Sequence, residues 1–111
     1  MHISDFSRKL VAAIDMKPYG EPQVVMFGEG NKRGYTLIQL IETSNIAGHF
    51  CEESNNAYLD VFSCKPFESA IVEAMVTRYF DPERIQAITM RRDADIKGIP
   101  WVDRIYYNEL R

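Results

Sequence analysis

Apolar residues first recur along the chain at helical spacing. Phe6, Leu10, Ala13 and Ile14 stand at i, i+4, i+7 and i+8, which predicts an amphipathic helix capped by Ser4 and running to about Asp15. Pro18, Gly20 and Pro22 then break the chain, and the Val-rich run at residues 23–27 predicts a strand. Residues 28–34, GEGNKRG, read as a hairpin turn rather than a phosphate loop, because they carry neither Walker spacing nor GxGxxG. Residues 35–42 complete the antiparallel hairpin and are mostly apolar on both faces. Polar residues dominate from 43 to 56, a length that in a structureless connection points to function. Strand character resumes at residues 57–63. Alternation there sets Leu59 and Val61 on a core face, and Tyr58, Asp60, Phe62 and Cys64 on a face that meets a ligand or another subunit.

Pro66 opens a second helix whose stripe of Phe67, Ala70, Ile71, Ala74, Met75 and Tyr79 is expected to be core, ending near Asp81 and Pro82. Residues 84–90 read as a last strand. The tail, residues 91–111, is expected to pack against the body or a partner, because Trp101, Tyr106 and Tyr107 bury large areas. Helices and strands in this order make an α+β chain.

Composition narrows the role of that chain. Its 111 residues and 46% apolar content suit a single domain, residues 1–111. A net charge of -3 argues against a nucleic-acid groove, and the pairs Lys32/Arg33 and Arg91/Arg92 read as solvated turns and strand ends. No apolar run is long enough for a membrane span, and residues 1–15 lack a signal-peptide pattern, so a cytoplasmic location is expected. Cys51 and Cys64 are accordingly read as thiols rather than a disulfide.

Reactive side-chain types concentrate in residues 40–64, LIETSNIAGHFCEESNNAYLDVFSC. Three chemistries are open there. A Ser44/His49 hydrolase lacks the GxSxG elbow, and a metal site from His49, Cys51, Glu52 and Glu53 lacks a second well-spaced Cys or His pair. The third is a serine that attacks its own backbone.

Residues 35–64 resemble the small prokaryotic type of S-adenosylmethionine decarboxylase, a pyruvoyl enzyme of polyamine biosynthesis. In that family a strand of aliphatics ends in GluSer, a His follows five residues later, and a Cys closes an AspIlePheThrCys strand fifteen residues after the His. Ser44, His49 and Cys64 keep both spacings, and residues 60–64 read DVFSC. The family fold implied is an antiparallel sheet of about four strands with two helices packed on one face.

The resemblance also implies roles. Ser44 would attack the carbonyl of Thr43, the cleavage site being Thr43/Ser44, and leave a pyruvoyl group whose ketone captures the substrate's amine and acts as electron sink. His49 would abstract a proton during processing, a task suited to an imidazole. Thr36 stands where the family has an assisting Ser, and Cys64 would reprotonate the carbanion after decarboxylation. Glu53 would bind the ribose hydroxyls of S-adenosylmethionine, with Phe50, Tyr58 and Phe62 against the adenine or the sulfonium.

The chain departs from the family pattern at Thr43, Ala47, Gly48, Cys51 and Glu52. Two alternatives therefore stand beside the decarboxylase: a non-processing homologue that binds S-adenosylmethionine or a partner, and a pyruvoyl decarboxylase of ornithine or arginine. The family opens with a strand before its first helix, and here the helix pattern begins almost at Met1. A sheet edge left open in this way predicts a homodimer or higher homo-oligomer. No metal, nucleic acid or membrane partner is expected.

Overall fold

The computed structural model describes residues 2–92 and 101–109, and these divide into two compact units, Met1–Glu68 and Ser69–Arg111. The first unit holds helix α1 (His2–Ala13) and a four-stranded antiparallel sheet of β1 (Gln23–Phe27), β2 (Gly34–Ile41), β3 (Ser44–Cys51) and β4 (Ala57–Ser63), in that order across the sheet. The second holds helix α2 (Ser69–Phe80) and a two-stranded antiparallel ribbon of β5 (Arg84–Arg91) and β6 (Trp101–Glu109). The α+β class stands.

In the first unit α1 packs on β1 and β2. Its buried face is Ile3, Phe6, Ser7, Leu10 and Val11, with Ile14 just beyond its end, whereas Ala13 is exposed. Ser4 lies inside the helix, not at its cap, because the apolar face begins one turn earlier at Ile3. Opposite α1 the sheet presents Leu37, Gln39 and Ile41 from β2, Ile46 from β3, and Leu59 and Val61 from β4, as the pairings Leu37↔Gly48↔Leu59 and Gln39↔Ile46↔Val61 require. Buried Gln39 satisfies its amide through the Gly20 and Leu40 carbonyls at 3.2 and 2.7 Å. The turn before β2 contains a short 3-10 segment, Gly30–Lys32, and depends on Gly28: at φ 82, a Cβ there would lie 2.3 Å from the Lys32 carbonyl oxygen.

The main departure from expectation is β3. Residues 44–51 form a central strand rather than a polar loop. Its outward positions are Asn45, Ala47 and His49 and its inward ones Ile46 and Gly48, so a two-residue period exists but small residues hide it. Gly48 leaves room for its neighbours, since a Cβ there would meet the Phe50 ring at 3.0 Å and Leu59 at 3.3 Å.

In the second unit α2 packs on β5. Its stripe is only partly covered: Ile71, Met75 and Tyr79 are half-buried, Ala70 and Ala74 are exposed, and Pro66 and Phe67 precede the helix. The buried residue of α2 is instead Glu73, whose carboxylate accepts two hydrogen bonds from Arg104 of β6, at 2.7 and 3.2 Å. That hydrogen bond raises the pKa of Arg104, partly offset by desolvation and reinforced by the Glu73 charge. The guanidinium also lies over the Tyr106 ring, 5.0 Å from its centroid. The aromatic tail is thus a strand paired with β5, and it leaves Trp101 and Tyr107 exposed, where burial was expected. Residues 93–100 of the tail expected to pack against the body or a partner lie outside the described residues.

Candidate active site

Ser44 opens β3, directly after the two-residue turn of Glu42 and Thr43 that follows β2. Four non-glycine residues among those described have positive φ, and three of them are Asp15, Asn55 and Asp81, types that tolerate the left-handed region. The fourth is Thr43 at φ 62, a β-branched residue for which that region is strained. Its hydroxyl donates to the Glu42 carbonyl at 2.6 Å.

The antiparallel register places Ser63, the last residue of β4, opposite Ser44. The Ser44 hydroxyl donates to Ser63 Oγ at 3.2 Å. Ser63 in turn accepts from the Lys65 backbone N–H at 2.9 Å and donates to the Lys65 carbonyl at 2.6 Å. Lys65 Nζ reaches back to the end of α1, bonding the Asp15 carbonyl and standing 3.7 Å from its carboxylate. A polar cleft of about 350 Å³ opens here, lined by Asp15, Met16, Lys17, Glu42, Thr43, Ser44 and Lys65. Cys64, between Ser63 and Lys65, is a free and exposed thiol.

His49 lies at the other end of β3. Five residues at about 3.3 Å each separate it from Ser44 by roughly 16 Å, and the odd spacing turns the two side chains to opposite faces. One chain therefore does not bring Ser44 and His49 together. It does bring His49 to Thr36, directly across the β2–β3 ladder, with Thr36 Oγ1 2.9 Å from His49 Nδ1. Around them is a cleft of about 680 Å³, lined by Phe27, Lys32, Gly34, Tyr35, Thr36, His49, Phe50, Cys51 and Tyr58. Phe62 shares the outer face but pairs with Asn45, at the serine end of the sheet. Glu53 is exposed in the β3–β4 turn, beside Glu52, whose carboxylate lies 3.4 Å from Arg33. Among the described residues no group of His, Cys, Asp and Glu side chains is arranged to hold a metal ion.

Sequence reasoning passed over Ser63, Lys65 and the φ of Thr43. The signal available was the antiparallel pairing of residues 44–51 with 57–63, which brings the two serines opposite each other once β3 is recognised as a strand.

The fold and site define a class: a small α+β protein with a serine hydroxyl set just after a strained hairpin turn. A family model described as S-adenosylmethionine decarboxylase matches residues 1–93 of the 111. The chain belongs to the S-adenosylmethionine decarboxylase family. No curated protein and no solved structure matches it. Among the described residues no helix is long and apolar enough to cross a membrane.

Proposed function

We propose that the protein is an S-adenosylmethionine decarboxylase made as a precursor that cuts its own chain between Thr43 and Ser44, and that its product feeds polyamine, in particular spermidine, biosynthesis. The observation that carries this reading is the strained Thr43 immediately before a hydroxyl held in place at a strand end. Ser44 Oγ attacks the Thr43 carbonyl carbon, the chain passes from amide to ester, and elimination releases Thr43 as a carboxylate and leaves dehydroalanine, whose imine tautomer takes up water and loses the Ser44 nitrogen as ammonia to give a pyruvoyl ketone. The residues present fit the group this makes: Ser44 is intact and borders a polar cleft. A pyruvoyl group derived from Ser44 supplies the electron sink for loss of carbon dioxide.

The remaining roles belong to the chain's own side chains. Cys64 donates the proton that replaces carbon dioxide on the substrate. Phe50 and Tyr58 line the larger cleft and, with Phe62 on the same sheet, offer ring faces to the adenine and the sulfonium, while Glu53 binds the ribose hydroxyls. His49, oriented by Thr36, serves as the base in processing. Since His49 and Ser44 of one chain stand far apart, that role requires a homodimer in which one copy presents His49 to the other's Ser44.

Intact mass tests the reading: a mature preparation contains two fragments, residues 1–43 and a blocked 44–111, and a persistent single chain of 12.8 kDa contradicts it. The separation of Ser44 from His49 favours a second reading, a non-processing homologue that binds S-adenosylmethionine. It predicts an uncleaved chain that binds the ligand without releasing carbon dioxide.

A further inference from the structure

We propose that Ser63 is a positioning residue that aims the Ser44 hydroxyl for its attack on Thr43. The inference rests on the reading of Ser44 as the attacking group. A hydroxyl has one proton to donate and two lone pairs to accept with. Ser63 donates to the Lys65 carbonyl and accepts from the Lys65 N–H, at 2.6 and 2.9 Å, which fixes its oxygen and leaves one lone pair uncommitted. The Ser44 hydroxyl donates into that lone pair at 3.2 Å. Ser44's proton is thereby drawn across the ladder towards β4, and both lone pairs of its own oxygen are left for the neighbouring carbonyl carbon.

The register makes this arrangement specific to the pair. Ser44 and Ser63 are the facing residues that end the β3–β4 ladder, and both point to the α1 side of the sheet. In the step that Ser63 assists, the bond from Ser44 Oγ to the Thr43 carbonyl carbon forms and the bond from that carbon to the Ser44 nitrogen breaks. The hydroxyl proton ends on the freed nitrogen. The step is an isomerisation, so no atom or electron enters or leaves, and Ser63 is unchanged by it.

The test follows fragment formation in the full chain by intact mass, comparing wild type with Ser63→Thr and Ser63→Val. These two substitutions have the same branched shape and differ in the hydroxyl, so strain or packing affects them alike. The expected result is that Ser63→Thr processes within about two-fold of wild type, while Ser63→Val slows by roughly three- to ten-fold, the worth of one hydrogen bond. Matching thermal midpoints for the two variants assign the difference to the hydroxyl. Equal rates for the two in a chain that does cleave overturn the role of Ser63 and leave that of Ser44 standing. A wild-type chain that never cleaves overturns both.

Discussion

Replacing Thr43 by glycine separates strain from chemistry at the proposed cleavage site. A β-branched residue at φ 62 carries about 1–2 kcal/mol of backbone strain. Glycine accepts this conformation freely but adds about 0.5–1 kcal/mol of unfolded-chain entropy, so Thr43→Gly stabilises the fold by a net ~0.5–1 kcal/mol. In a small domain that is a rise of about 2–8 °C in thermal midpoint, best measured in a Ser44→Ala background where no cleavage interferes. The lost hydrogen bond from the Thr43 hydroxyl to the Glu42 carbonyl is exposed and subtracts little. If the strain is released as the Thr43 carbonyl becomes tetrahedral, the same ~1–2 kcal/mol leaves the driving force and Thr43→Gly cleaves roughly five- to thirty-fold more slowly than wild type. A variant that cleaves as fast as wild type, or that melts lower, refutes the role assigned to the strain.

Other consequences follow from the same geometry. Mixing a His49→Ala chain, which keeps Ser44, with a Ser44→Ala chain, which keeps His49, is expected to restore cleavage of the former; a mixture that stays uncut would contradict the placement of His49 across the dimer, and a His49→Ala chain that cleaves alone would remove His49 from processing. Cys64→Ser is expected to leave fragment formation intact while cutting carbon dioxide release per cleaved chain by at least ten-fold. Arg104→Ala and Glu73→Ala should each lower the thermal midpoint, and the double variant should lower it by less than the two together, since they break one ion pair. Because Glu73 raises the pKa of Arg104, that contribution is fully present below the ordinary guanidinium range and is lost only as pH rises through the raised value. Melting should therefore show no titration of Arg104 between about pH 5 and 9.

Much of the sheet was legible because large apolar residues alternate in it. Leu59 and Val61 against Tyr58, Asp60 and Phe62 identified both faces of β4, and Gln23–Phe27 was bounded correctly by Pro22 and Gly28. β3 was not legible, since Ala47 and Gly48 give no hydrophobic signal and its strand character comes from pairing on both sides. The same misreading affected the site. Ser44 and His49 look adjacent as members of one loop, but strand geometry carries them to opposite faces and opposite ends. Ser63, an unremarkable residue in sequence, becomes Ser44's partner only through a register that no local pattern encodes. The stripe on α2 misled for another reason: its buried position is occupied by Glu73, which becomes tolerable there only because Arg104 arrives from a distant strand.

Intact mass of the wild-type chain beside Ser44→Ala, after prolonged incubation, tests the central claim most directly. The account predicts two fragments from wild type, divided between Thr43 and Ser44 with the second blocked at its new N-terminus, and a single uncut 12.8 kDa chain from Ser44→Ala. An uncut wild type, or a Ser44→Ala chain that still cleaves at this position, would contradict it.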